Sequence, residues 1–169
     1  MDRATIEELF DYTGWAWEQI GAALAPRGPE IITTDGPTSG WPALWDCLRH
    51  VSIGYDFWAS SMDGRPAIEF DKAPPDWSAL NDYHQRARKR LHERLILLDD
   101  VALATPREVE TITGPGAYTP AQLFFNALWH DRGHHGDINT LLYQHGIPDD
   151  NWPWIEFRAF INNKRGYNE

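Results

Sequence analysis

His130 and His134 stand four residues apart in FFNALWHDRGHHGDINTLLYQHG, residues 124–146, a stretch of helical length and helical apolar rhythm. On a helix that spacing puts both imidazoles on one face, with Cβ atoms roughly 6 Å apart, so that two nitrogens can reach one ion. The helix of zinc proteases uses the same spacing, but the glutamate of H-E-x-x-H is missing here. A bare pair is more often two hydrogen-bonded or exposed histidines. His50 shifts that balance. It lies in LWDCLRHVSIGYDFW, residues 44–58, in line with the apolar stripe of an earlier helix. One inward histidine facing an inward pair makes a three-nitrogen site with a position left open, the pattern of a catalytic metal rather than a structural one.

Neutral imidazoles suit zinc or nickel best, with iron, manganese and copper as further candidates. Three uncharged ligands leave the ion its full double charge, which acidifies a water or thiol bound to it. Asp46, one turn before His50, and Asp137, three residues after His134, are candidates to orient an imidazole or hold a site water. A solvated carboxylate is the alternative for each. Cys47 is a candidate fourth ligand or reactive thiol, although a lone cysteine reads first as a small buried hydrophobe. Gly133, between the paired histidines, is expected to let a neighbouring helix or a ligand come close. His135 points about 100° away from the ligand direction and is expected at the rim or surface. His84 and His92, set among the charges of RARKR, are expected on the solvated surface, and His145 at a helix C-terminus.

Four amphipathic segments are available to position these groups. They run from Arg3 to Leu24, Trp41 to Ser60, Trp77 to Leu98, and from the Thr119 cap to Gln144, where Gly146 and Pro148 supply the stop. Asp2 or Thr5 caps the first. An all-α, four-helix bundle is the fold class that follows. Each connector has roughly fifteen residues or more, against the ~2–8 that antiparallel neighbours need, so at least one is free to join parallel helices. The segment DDNWPWIEFRAFINNKRGYNE, residues 149–169, follows as an extension in which Pro153 is expected to open a short helix. So aromatic a segment is expected to pack on the bundle, lid the site or cross to a dimer partner.

The chain has 169 residues, enough for one domain with a sizeable core, and a formal net charge of -10. That charge argues against a nucleic acid or an anionic membrane as partner. With a single cysteine, no bilayer-length apolar run and no signal-peptide core in MDRATIEELF, the expected location is the cytoplasm. Nine tryptophans favour a large aromatic core or an aromatic-lined pocket, with Phe57 a better candidate for its wall than Trp129.

The helix-two histidine followed by an aromatic-rich turn, His50 to Trp58, and the late HDRGHHGDINTLL resemble the DinB-like (YfiT-like) metalloenzymes. His130 and His134 match that family's ligand pair and Gly136 its glycine. His135 stands where arginine is usual and Asp137 where glutamine is usual. The resemblance covers residues 3–146. It implies a four-helix bundle over residues 1–148 with a crossover after helix two, a three-histidine divalent metal site of His50, His130 and His134, and often a homodimer. It also implies a small-molecule substrate and, by way of relatives that use mycothiol or bacillithiol, an S-transferase acting with a low-molecular-weight thiol. A metal-dependent hydrolase, or a non-catalytic protein that binds a metal or small ligand, is the alternative.

Overall fold

The computed structural model describes residues 1–27, 30–35, 40–68, 76–111, 114–147, 152 and 155–166. Helix α1 spans Arg3–Leu24 and is capped by Asp2, whose carboxylate accepts from the Thr5 N–H at 2.9 Å. A one-turn α2, Glu30–Thr33, precedes α3, Leu44–Asp63. Helix α3 starts later than the apolar rhythm implies. Asp35 and Ala43 pair as an isolated antiparallel bridge, which keeps the chain extended through Ala43. Its end overruns Ser60 to Asp63, where Gly64 adopts φ 68 and closes the helix. Helix α4, Trp77–Ile96, is capped by Asp76. The connector that follows is not featureless. It holds a short α5, Asp100–Ala104, and a hairpin of β1, Arg107–Thr111, with β2, Gly114–Tyr118. That hairpin buries little beyond Val109, so its alternation is nearly silent in the sequence.

Helix α6, Pro120–Gln144, opens on a capping box in which Thr119 and Gln122 satisfy each other's backbone N–H groups, and it stops at Gly146 with φ 66. Helix α7 spans Phe157–Lys164. The expected helix start at Pro153 lies outside the described residues. No helix among the described residues is long and apolar enough to cross a membrane.

Side-chain contacts give the direction of each long helix. Ser52 meets His84, and Asp63 meets Arg90 and Arg94, so α3 and α4 run parallel. Phe10 meets Phe124 while Arg27 reaches the Ile147 carbonyl, so α1 and α6 are parallel too. Trp17 bonds Asn81 whereas Phe10 touches His92, which makes α1 antiparallel to α4. Joining two parallel neighbours requires the α3–α4 connection to cross the length of the bundle. The fold is therefore an all-α four-helix bundle with its crossover after the second long helix.

The core is split. One apolar cluster gathers Phe10, Tyr55, Leu91 and Phe124, and a second gathers Trp17, Leu48, Tyr83 and Ile138. Between them lies a buried polar layer of Thr13, Ser52, His84, Arg88, Asp131 and His135. The described part of the extension lies on the same bundle. The Trp152 indole donates to Asn139, the Tyr12 hydroxyl donates to the Ile155 carbonyl at 2.7 Å, and Phe160 packs on Tyr12 and Trp15.

Candidate metal centre

Each residue of α6 turns by about 100°, so the helix presents different chemistry on adjacent lines. His130, His134 and Asp137 face the seam with α3, while Asp131, His135 and Ile138 point into the core. Helix α3 answers with His50 and, one turn later, Gly54. A Cβ at Gly54 would stand 2.9 Å from His130 Nδ1 and 3.0 Å from its Cε1, so the His130 ring occupies the space that a side chain would fill.

The three imidazoles converge. Ligand-capable atoms of His50, His130 and His134 all lie within 4.8 Å of one another, and the Nε2 atoms of His50 and His130 stand 2.9 Å apart. The ring centroids are 4.7–5.0 Å apart in each pairing. Two nitrogens at 2.9 Å would subtend about a right angle at an ion 2.0–2.1 Å from both. Burial, reinforced by the neighbouring His134, lowers the His50 imidazole, and burial with His134 and His50 brings His130 down to about 4. Both rings are thus neutral at pH 7 and offer lone pairs, the state a divalent ion requires. The donor set and its spacing fit such an ion.

Around the rings, His134 Nδ1 and Asp137 Oδ2 are 2.9 Å apart, and the Trp41 indole N–H donates to the same oxygen at 3.0 Å. The Trp41 ring lies 5.0 Å from that of His50 and 5.4 Å from that of His134. Asp46 makes no hydrogen bond to these imidazoles among the described contacts. Cys47 is fully buried, and burial followed by the charges of Asp137, Asp131 and Asp46 pushes its thiol well up, so without metal it is a neutral, apolar filler. Its sulfur nevertheless falls within 4.8 Å of ligand-capable atoms of His134 and Asp137. Among the described contacts, Trp41 is an aromatic beside the histidines. Phe57 packs on Trp58, and Trp129, 62% exposed, stacks on Phe125 along another line of α6.

Three expectations from the sequence need correction. His135 is not at the rim; it is 1% exposed, with Nε2 3.3 Å from Asp131 Oδ1 and Nδ1 3.1 Å from the Tyr12 hydroxyl oxygen. Its 100° offset carries it inward, against Tyr12 of α1, rather than outward. His84 is likewise buried, stacked on Trp17 with centroids 3.5 Å apart and bonded through Nδ1 to Ser52; Asp82, Arg86 and Lys89 turn to solvent on other lines of α4, while Arg88, one turn on, is buried with it. Gly133 is exposed, and an added Cβ would meet nothing within 4 Å. The close approach is at Gly54 instead. His92 is exposed and His145 caps α6.

Residues that spacing alone did not single out complete the surroundings. The Tyr55 hydroxyl donates to Asp131 Oδ2 at 2.6 Å, and Arg88 donates to the Tyr55 and Thr13 oxygens, both at 2.7 Å, and to the Phe10 carbonyl. Burial alone would raise the Asp131 carboxyl, but the His135 and Tyr55 bonds with the His135 charge hold it down at about 2. The signals were present as i, i+4 pairs, His50 with Gly54 and Asp131 with His135, each one helical turn apart.

Residues 8–138 match the family model of the DinB superfamily. The chain belongs to the DinB superfamily. The match spans α1 through most of α6, including all three histidines, and stops before the extension. No curated protein matches. DinB proteins are a metal-binding superfamily, and this member carries a histidine-rich group able to hold an ion.

Proposed function

We propose that this protein is a divalent-metal-dependent enzyme in which His50, His130 and His134 hold the ion and a low-molecular-weight thiol is the co-substrate for transfer of sulfur to a small electrophile. The observation that carries this reading is the convergence of three imidazoles on an exposed seam, with no carboxylate among them. A bound ion there supplies Lewis acidity, which makes thiolate available at neutral pH. The chain supplies the rest. His50 and His130 are kept neutral by burial and by the neighbouring His134, so they bind without first losing a proton. Asp137 holds the far side of His134. Trp41 lies against two of the rings and shields them from water on that side, while the exposed edge of His50 leaves a way in for a small molecule.

The test is metal analysis of protein purified without an affinity tag, followed by titration with mycothiol, bacillithiol and related small thiols. Thiol binding that depends on metal and is abolished by His134→Ala is the expected result. Thiol binding that survives in metal-free protein would overturn the metal–thiol reading, and turnover with water alone would make the enzyme a hydrolase.

A further inference from the structure

We propose that Asp137 and Trp41 together are the positioning device of this centre: they hold His134 with its proton on Nδ1, so that Nε2 is the nitrogen offered to the ion. The proposal rests on reading the three histidines as ligands and adds which atom of His134 binds, and why. Both hydrogen bonds end on one oxygen, Asp137 Oδ2. An indole N–H can only donate and an ionised carboxylate can only accept. The nitrogen facing Oδ2 is therefore the one that carries a proton, which leaves Nε2 as the nitrogen available to an ion.

Trp41 gives the carboxylate a fixed place. It precedes α3, so its bond to Asp137 on α6 ties the two ligand-bearing helices together beside the site. Its ring also lies edge-on to His134 and tilted against His50, which restricts the rotation of both imidazoles. The carboxylate further brings an acidic group next to a cluster of imidazole nitrogens, which favours a dication over an empty cluster. A competing arrangement is geometrically available. Cys47, His134 and Asp137 could themselves hold an ion, in which case Asp137 would be a ligand rather than a positioning residue.

The experiment titrates zinc into metal-free wild type, Asp137→Ala, Asp137→Asn, Trp41→Phe and Cys47→Ala, in competition with a chelator of known affinity. Histidine-selective 15N NMR of the zinc-loaded wild type reads which His134 nitrogen is metallated. The expected result is one equivalent bound through Nε2 with Nδ1 protonated. Asp137→Ala should weaken affinity about 10–100-fold at unchanged stoichiometry. Asp137→Asn, which keeps an acceptor without the charge, should fall between it and wild type, and Trp41→Phe should lose less than Asp137→Ala. Metallation of Nδ1, unchanged affinity in Asp137→Ala, or a second equivalent that disappears in both Asp137→Ala and Cys47→Ala would each overturn the proposal while leaving the three-histidine centre standing. Wild type that binds no zinc would overturn both.

Discussion

Gly54→Ala separates metal binding from folding in a single methyl group. Gly54 lies in mid-helix and is not among the positive-φ glycines, so alanine is conformationally permitted there. Helix propensity alone would make the variant more stable by about 1 kcal/mol. The obstacle is local. The new Cβ would stand 2.9 Å from His130 Nδ1, where ordinary carbon contacts begin at about 3.5 Å, so the ring must retreat by at least about half an ångström. A metal–nitrogen bond tolerates about ±0.2 Å. The displaced ring is therefore outside bonding tolerance unless α3 and α6 part, which would disturb the packing between them. Metal affinity should fall about 10–100-fold, a loss of the size seen when a ligand is misoriented. The melting temperature of the metal-free protein should hold or rise by up to about 2–4 °C. Chelator competition and thermal melts with and without zinc read the two quantities. Zinc affinity within about twofold of wild type would refute the argument that Gly54 seats the His130 ring.

Adjacent histidines on α6 should respond oppositely: His134→Ala should lose metal with little effect on metal-free unfolding, whereas His135→Ala, which strands the buried Asp131 carboxylate, should lose about 3–5 kcal/mol in urea denaturation. Equal losses in the two variants would contradict this assignment. In metal-free protein, burial lowers His50 and His84 and brings His130 from 6.5 to about 4, so the contribution of each ring to stability is complete above about pH 6.5 and declines as pH falls below it, that of His130 being lost as pH falls through about 4. Melting temperature against pH should show that decline, and His130→Gln should make it shallower. Stripping the metal should lower the melting temperature of wild type, by an amount equivalent to about 2.7 kcal/mol where the free ion stands at a hundred times its Kd.

Long apolar periods, caps and stops made the four bundle helices legible, because each buries a stripe whose 3.6-residue rhythm is written along some twenty residues. The hairpin at residues 107–118 was not, since its only well-buried strand residue is Val109 and its partner strand reads GPGAY. The clustering of the three histidines was legible for the same reason as the helices: His130 and His134 share a line on α6, and His50 continues an apolar one on α3. The fate of their neighbours was not. His84 and His135 lie between charged or polar residues in the chain, yet only contacts from other helices decide whether a given line faces solvent or core. His84 is taken inward by stacking on Trp17, and His135 by the Tyr12 hydroxyl, itself fixed on the Ile155 carbonyl of the extension. Such partners are distant in sequence and leave no local pattern.

The buried polar layer has a bearing on the metal centre that stability does not explain. Each seam histidine on α6 adjoins a core residue of the layer, His130 beside Asp131 and His134 beside His135. Apolar packing alone tolerates small rotations of a helix, whereas hydrogen bonds with defined directions do not. A rotation of 10° moves atoms about 6 Å from the helix axis by roughly 1 Å, several times what a metal–nitrogen bond accepts. Asp131 is held from α3 by Tyr55, which Arg88 of α4 holds in turn, and His135 is held from α1 by Tyr12. Three helices thus fix the angle of the fourth at the level where its seam histidines emerge. Replacing such a layer with well-packed hydrophobes is often neutral or stabilising elsewhere. Here the layer fixes the angle at which two histidines on α6 meet a third on α3.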